Sequence, residues 1–285
     1  MPGILYLCAT PIGNLEDASY RLIRILKEAD AIVCEDTRHT LKLLNHYHIK
    51  KPLISYHSYS SKTKEVHILE QIKAGNKIAL VTDAGMPGIS DPGQRIAAMA
   101  LVDGLLVEII PGVSAVTAAL ASSGFPVRGF VFLGFLARKK GKKQEQLKSL
   151  LYEEKPAVIF EAPHRLSATL QDIVEVLGPD RLVAVARELT KANEEITRGP
   201  CLEVCQHFRH IAPRGEMCIV IAGTKTEPRA VDMEQLLTEV QELLKQGMEK
   251  KRAFKIKALE YKISKSVIYN RFLEHQKSKL RPDKG

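Results

Sequence analysis

KIALVTDAGMPGISDPG (77–93) decides how the rest of the chain is read. The run KIALV has the make-up of a strand buried on both faces, and it ends abruptly in a segment crowded with Gly, Pro and Asp. A plain link to the next helix needs only two to six residues. A longer, rigid segment without bulky side chains, placed after a parallel strand, is where open α/β sheets bind ligands. The stretch therefore predicts an architecture, and by itself is either an awkward connection or a cradle for a ligand.

Working outward, short apolar runs alternate with helical patterns through the first 125 residues. ILYLCA (4–9) precedes a helix over about 17–29 with Asp17 as N-cap. AIVCED (31–36) leads into TRHTLKLLNHY, and PLISYH (52–57) into a helix near 62–74 closed by Gly75. KIALVTD leads through the loop to a helix near 92–102, and LLVEIIP (105–111) into GVSAVTAALASSG. Such alternation predicts a parallel sheet covered on both faces. The pattern pauses across FPVRGFVFLGFLARKKGKKQ (125–144) and restarts with AVIFEA (157–162) and a helix from His164 to Leu177. LVAVARELT (182–190) and EEITRG (194–199) are close enough to form an antiparallel pair, so the second sheet is expected to be mixed. A helix near 200–209 and the strand GEMCIVIAG (215–223) complete it. The expected organisation is an N-terminal α/β domain (1–125), a second α/β domain (126–225) and a basic helical extension (226–285).

The formal net charge of +9 is unevenly placed. Residues 247–285 hold nine Lys and three Arg against three Glu and one Asp, a local +8. A second cluster is Arg138-Lys139-Lys140-Gly141-Lys142-Lys143. Localised positive charge suits a polyanion, because neutralising phosphates releases counterions; a solubilising tail is the alternative. The last two helices, 248–262 and 264–279, read as a helix-turn-helix. Ala253, Ile256, Ala258 and Leu259 would face Val267, Ile268 and Phe272, with Lys265, Tyr269, Asn270 and Arg271 outward. A three-helix packing unit without nucleic acid remains the other reading. Five cysteines without a C-x-x-C pair suggest buried thiols in the cytoplasm, and no spacing suggests a metal site. The N-terminal run, broken by Pro11 and Gly13, is not a signal peptide, and no stretch is long and apolar enough to span a membrane.

Four loops follow predicted parallel strands: TPIGNLED (10–17), EDTRHT (35–40), the stretch 82–93, and PGVSA (111–115). All would emerge at the carboxyl edge of one sheet. G-x-G-x-x-G, Walker-type, G-x-S-x-G and H-E-x-x-H motifs are absent from the sequence. The ligand is then one held by exposed backbone groups.

Taken in order, TPIGNLED, CEDTRHT, DAGMPGISDPG, PGVSA, GFLARKKGKK, FEAPHRL, ARELTKANEEITRG and GEMCIVIAG resemble the tetrapyrrole methylase superfamily, specifically its small-subunit ribosomal RNA (cytidine-2′-O-)-methyltransferase branch. The resemblance runs from about residue 4 to 224 and departs from the usual pattern at Met86, Val113 and Ala137. It implies a two-domain, non-Rossmann (class III) α/β methyltransferase with S-adenosylmethionine in the interdomain cleft. A homodimer, the small ribosomal subunit with its 16S RNA as partner, and a cytidine in the decoding region as acceptor are further implications. By motif position the cofactor would meet Pro11, Gly85, Met86, Pro87, Ile89, Ser114 and Ala115. From the second domain it would meet Glu161, Ala162, Ala186, Arg187 and Met217.

A neutral 2′-hydroxyl is a poor nucleophile, so a base or nearby cation is expected. Glu35, Arg38 and Lys191 are the candidates for catalysis; ion pairing across the domain interface is their alternative role. Asp83 is expected to orient its loop, and His164 to start a helix. Arg138, Lys139, Lys140, Lys142, Lys143 and Arg165, with Lys250, Lys251, Arg252, Lys265 and Arg271, are candidates for RNA phosphates. Tyr56, His57 and Tyr59 are candidates for stacking on a base. Two competing functions keep the fold: methylation of a tetrapyrrole or a translation-factor side chain, and a non-catalytic RNA-binding or ribosome-assembly role.

Overall fold

The structure, a computed structural model, describes residues 3–57, 60–89, 93–210, 214–224, 232–261 and 263–279. Its first sheet contains β1 (Ile4–Cys8), β2 (Ala31–Cys34), β3 (Leu53–Ser55), β4 (Lys77–Val81) and β5 (Leu106–Ile110). All pairings are parallel, in the order β3-β2-β4-β1-β5. Side-chain alternation sends Cys8, Ile32, Cys34, Ala79 and Val81 to one face, under α1 (Tyr20–Glu28) and α2 (Thr37–His46). Leu5, Val33, Ile78 and Leu80 go to the other, under α3 (Lys62–Lys73) and α4 (Gly93–Val102). Burying a side chain such as Leu22 or Ile68 contributes about 1.5–3 kcal/mol. The chain reverses its direction of travel between β4 and β1, which makes their carboxyl ends a topological switch point.

Asp17 is not the cap of the first helix. It ends a short 3-10 turn, Leu15–Asp17, capped by Asn14, and α1 starts three residues later at Tyr20, with the hydroxyl of its N-cap Ser19 accepting from Leu22 N–H. The turn lets the loop after β1 run along the sheet edge before the helix begins.

Helix α5 (Ala115–Ser123) follows the first sheet in sequence but packs on the second: Val116, Ala119 and Leu120 meet Val158, Ala184, Ala186, Cys218 and Val220. The second sheet contains β6 (Val131–Phe135), β7 (Ala157–Glu161), β8 (Leu182–Arg187), β9 (Glu195–Pro200) and β10 (Met217–Ile221), in the order β6-β7-β10-β8-β9. Only β6 and β7 pair in parallel; β10 runs against β7 and β8, and β8 against β9. The sheet is thus mixed, with α6 (Lys140–Lys148), α7 (Leu166–Leu177) and α8 (Cys201–His210) on its far side. The apparent pause at 125–144 conceals β6 and the start of α6. Gly134, at φ 61°, lies where the β6 register shifts, and α6 buries only Lys143 and Leu147, so neither element shows a regular apolar period.

The extension forms α9 (Met233–Lys245), α10 (Lys250–Glu260) and α11 (Lys265–Lys279) around Leu236, Leu237, Val240, Phe254, Tyr261, Ile268 and Phe272. Lys257 Nζ bonds Glu239 and Glu260 at 2.6 and 2.8 Å, tying α10 to α9. Leu259 and Val267 are exposed rather than packed, and Phe254 takes the central position instead. Among the described residues no helix is long and apolar enough to cross a membrane.

Candidate active site

Two of the loops at the carboxyl edge of the first sheet, those after β1 and β4, are joined by an antiparallel bridge. Thr10 N–H donates to Gly85 O at 2.9 Å, Gly85 N–H donates to Thr10 O at 3.0 Å, and the Thr10 hydroxyl donates to Thr82 O at 3.0 Å. Gly85 sits at φ 80°, open to glycine at little cost. A Cβ added there meets nothing nearer than Ile12 Cγ2 at 3.6 Å, so a side chain would stand in the space beyond. On either side of the bridge lies a cavity, one of about 410 Å³ and one of about 240 Å³; Thr82 and Asp83 line both.

The larger cavity lies between the sheets. The first contributes Ile12, the segment Thr82–Met86 and Ile89; α5 contributes its first turn at Ser114–Val116. The second contributes Phe135, Phe160–Pro163, Ala186, Leu189 and Gly215–Cys218. Its volume falls within the range of small-molecule clefts, and its walls combine apolar side chains with loop backbone. Gly85, Met86, Ile89, Ser114, Ala115, Glu161, Ala162, Ala186 and Met217 line it, as their motif positions imply. Pro11 lines the smaller cavity instead. Pro87 packs toward Gly93, and Arg187 turns to Glu195 at 2.9 Å, so neither reaches the cleft. Ile12, Phe135, Phe160 and Leu189 are walls that read in the sequence only as apolar positions. Ser90, Asp91 and Pro92 lie outside the described residues. The Cys218 thiol is pushed up to about 12 by burial, which makes it wall and not nucleophile.

The lobes touch where the loop after β8 meets the loop after β1. Asn14 N–H donates to the Thr190 hydroxyl at 3.0 Å, and a Cβ on Gly13 would stand 2.5 Å from Lys191 Cγ. Glu188 and Thr190 have φ of 52° and 67°, rare for non-glycine residues and costing of order 1–3 kcal/mol each. Lys191 Nζ donates to Glu188 Oε1 at 2.9 Å and Glu216 Oε2 at 3.2 Å. That hydrogen bond, with the Glu216 N–H, holds the Glu188 carboxyl below its ordinary value. Desolvation works against the Lys191 charge, but the two carboxylates outweigh it and leave the ammonium raised. A lysine held charged does not accept a proton at neutral pH; Lys191 is a clamp between loops.

Glu35 and Arg38 line neither cavity. The exposed Arg38 guanidinium folds onto Asp36 at 2.8 Å and, chiefly through that hydrogen bond, holds the Asp36 carboxyl down to about 2. Burial, then the Asp83 charge, pushes the Glu35 carboxyl up. Asp83 Oδ1 accepts from Asp36 N–H at 3.2 Å, joining the loops of β2 and β4. Among the described residues, Asp83 is the carboxylate placed where the two cavities meet.

The basic segment is only partly a surface. Lys143 is 6% exposed, bonding Asp172 at 2.5 Å and donating to the Thr169 hydroxyl at 3.3 Å; that hydroxyl donates to Glu161 at 2.6 Å. Arg165 closes the chain on Glu161 at 3.1 Å and on Leu136 O at 2.8 Å. Lys143 and Arg165 therefore face inward, bracing the cavity wall at Glu161 rather than meeting a polyanion. Lys140 is exposed but paired with Glu175 at 3.2 Å. Arg138, Lys139 and Lys142 are exposed, as are Lys250, Lys251, Arg252, Lys265 and Arg271. Tyr56 is buried with its hydroxyl on Glu65 at 2.9 Å, so it is not free to stack; Tyr59 lies outside the described residues. His164 sits in a 3-10 turn, Pro163–Arg165, leading into α7. Among the described residues no cluster suits a metal ion.

This architecture and sequence are shared widely. A family profile described as Tetrapyrrole (Corrin/Porphyrin) Methylases matches residues 5–205. A protein of Synechocystis sp. named Ribosomal RNA small subunit methyltransferase I is 45% identical over 273 residues, covering 95% of this chain and 98% of that one. A Thermotoga maritima protein of the same name is 48% identical over 221 residues, 78% of this chain and 99% of its own length. Among solved structures, uroporphyrin-III C-methyltransferase from Thermus thermophilus complexed with S-adenyl homocysteine superposes with a TM-score of 0.56 at 19% identity, covering 77% of this chain and 97% of that one. A diphthine synthase gives 0.57 at 13% identity, covering 77% and 89%. At those identities the structures share the fold.

Proposed function

The chain belongs to the tetrapyrrole (corrin/porphyrin) methylase family, and from that premise we propose that it methylates small-subunit ribosomal RNA from S-adenosylmethionine, at the 2′-hydroxyl of a cytidine in the decoding region. The observation that carries the reading is the cleft of about 410 Å³ between the lobes, walled by backbone-rich loops in a chain whose close relatives are named for this RNA.

The residues present fit the cofactor. Gly85 leaves the cleft open where a side chain would fill it. Ile12, Phe135, Phe160 and Leu189 offer apolar surface to an adenosine. The first turn of α5, whose Ser114 makes no side-chain cap, leaves amide N–H groups for the amino-acid carboxylate. The cofactor, when bound, supplies an electrophilic methyl group on a sulfonium. The protein's part is alignment, which is worth up to about 7–11 kcal/mol when reacting atoms are held in line. The bridge between Thr10 and Gly85 fixes one wall, and Thr190 against Asn14 fixes the separation of the lobes. Asp83 is the carboxylate toward which the 2′-hydroxyl proton is drawn. Arg138, Lys139, Lys142 and the outward cations of α10 and α11 hold the RNA backbone, in a homodimer acting on the small subunit.

The test is incubation with labelled S-adenosylmethionine and either small subunits or free RNA, followed by mapping of the methylated nucleotide. Label on a cytidine ribose is expected; absence of label from RNA would refute the proposal.

A further inference from the structure

We infer that the smaller cavity receives the base of the acceptor nucleotide, and that His39 and Lys42 at its mouth select cytosine; this rests on the RNA-methylating role proposed above. The cavity, about 240 Å³, opens between the loop Thr10–Gly13 and α2. It lies below the usual size of a small-molecule cleft, which suits one ring system rather than a whole nucleotide. Leu15, Leu43 and Val81 give it aliphatic walls, and Thr10 and Thr40 line it beside them. Nothing in the cofactor's fit uses this space, because the Thr10–Gly85 bridge separates it from the larger cleft.

The shared residues fix the direction of the occupant. Among the described residues, Thr82 and Asp83 alone line both cavities, so a nucleoside whose base enters the smaller one brings its ribose over Asp83, facing the larger. That is the position methyl transfer to a 2′-hydroxyl requires. Sequence-specific RNA recognition works on such unstacked bases, by contact with the ring and hydrogen bonds to the Watson–Crick edge.

The donor pattern then chooses the base. His39 and Lys42 are three residues apart on α2 and so lie on one face of it, both exposed at the rim. Both are hydrogen-bond donors, the lysine only a donor. Two adjacent donors match O2 and N3 of cytosine, which are neighbouring acceptors. Uracil presents an N3–H at the second position, donor against donor. Both purines lack a pair of adjacent acceptors on that edge.

The test uses the full-length protein with His39→Ala and Lys42→Ala combined; both side chains are exposed, so the fold is undisturbed. Three quantities are measured: Kd for S-adenosylmethionine, kcat/KM for methylation of small subunits, and the preference for subunits carrying cytidine over uridine at the methylated nucleotide. Wild type should prefer cytidine by at least about 10-fold, within the range of one good base-edge pairing. The variant should bind S-adenosylmethionine within about twofold of wild type, lose at least about 10-fold in kcat/KM on cytidine and lose most of the preference. Lys42→Arg, which keeps the donor, should retain it. Unchanged transfer and preference in the double variant would overturn the inference, as would lost cofactor affinity, which would assign these residues to the larger cleft. An equal loss on both nucleotides would also overturn it, since it would mean contact with phosphate alone. Wild type failing to label RNA would instead refute the parent proposal.

Discussion

Lys143→Ala separates a structural cation from a nucleic-acid contact. The side chains of Lys143 and Asp172 are 8% and 7% exposed and 2.5 Å apart, with Thr169 as the lysine's second partner. Deleting the ammonium leaves the Asp172 carboxylate buried, its other cation being the exposed Lys140 at 3.8 Å. Breaking a buried pair by removing one partner typically costs about 3–5 kcal/mol. The residual help from Lys140 places the expected loss near the low end, about 3 kcal/mol. Urea denaturation followed by circular dichroism reads the loss as a lower midpoint at unchanged slope. Lys143→Met with Asp172→Leu removes both charges and should recover most of it, as replacement of a buried pair by apolar groups often does. RNA affinity measured against salt concentration should keep its slope in that double variant. A stability loss under about 1 kcal/mol, together with a salt slope shallower by about 0.7, would refute the reasoning and return Lys143 to the RNA surface.

Arg138, Lys139 and Lys142 changed together to Ala should weaken RNA binding and flatten the salt slope by about 2 at three phosphate contacts, with cofactor affinity unchanged by calorimetry. Gly85→Ala should lower S-adenosylmethionine affinity at least about 10-fold and cost about 1–2 kcal/mol of stability from the left-handed backbone; Gly85→Val adds β-branched strain at φ 80° and so tests less cleanly. Glu188 is held below its ordinary value of 4.5 by Lys191, so its contribution to stability is full above the unfolded value and is lost as pH falls through the folded one. Glu188→Gln should therefore be less stable than wild type at pH 7, with the difference shrinking below about pH 4 in acid denaturation curves.

Much of this was legible because it is local. The β1, β2 and β4 runs of the first sheet are largely buried, so composition alone marks them, and the Gly-Pro segments after the strands mark the edge where the cavities form. What escaped depends on partners distant in sequence. The burial of Lys143 is set by Asp172, on another helix, and a run of cations reads as solvated surface whatever lies behind it. Tyr56 reads as an aromatic at a strand end until Glu65, inside α3, supplies its hydrogen bond. The contact of Lys191 with the Glu188 carboxylate sits in a loop held in left-handed conformations at Glu188 and Thr190, which no residue type there announces. The smaller cavity is lined by Leu15, which opens the 3-10 turn Leu15–Asp17 where an early helix start would have placed α1.

The pairing of Thr10 with Gly85 has a mechanical consequence. β1 and β4 are hydrogen-bonded neighbours along their whole length, Ile4 against Lys77 through Cys8 against Val81, and the bridge continues that attachment beyond the strands. The partition between the cavities is thus an extension of two hydrogen-bonded strands. Positional error between methyl donor and acceptor is then set by strand register, which slips only by whole residues, and not by loop fluctuation. A substitution that loosens surface loops should leave that alignment largely intact, whereas one that disturbs the packing beneath β1 and β4 should degrade it from a distance.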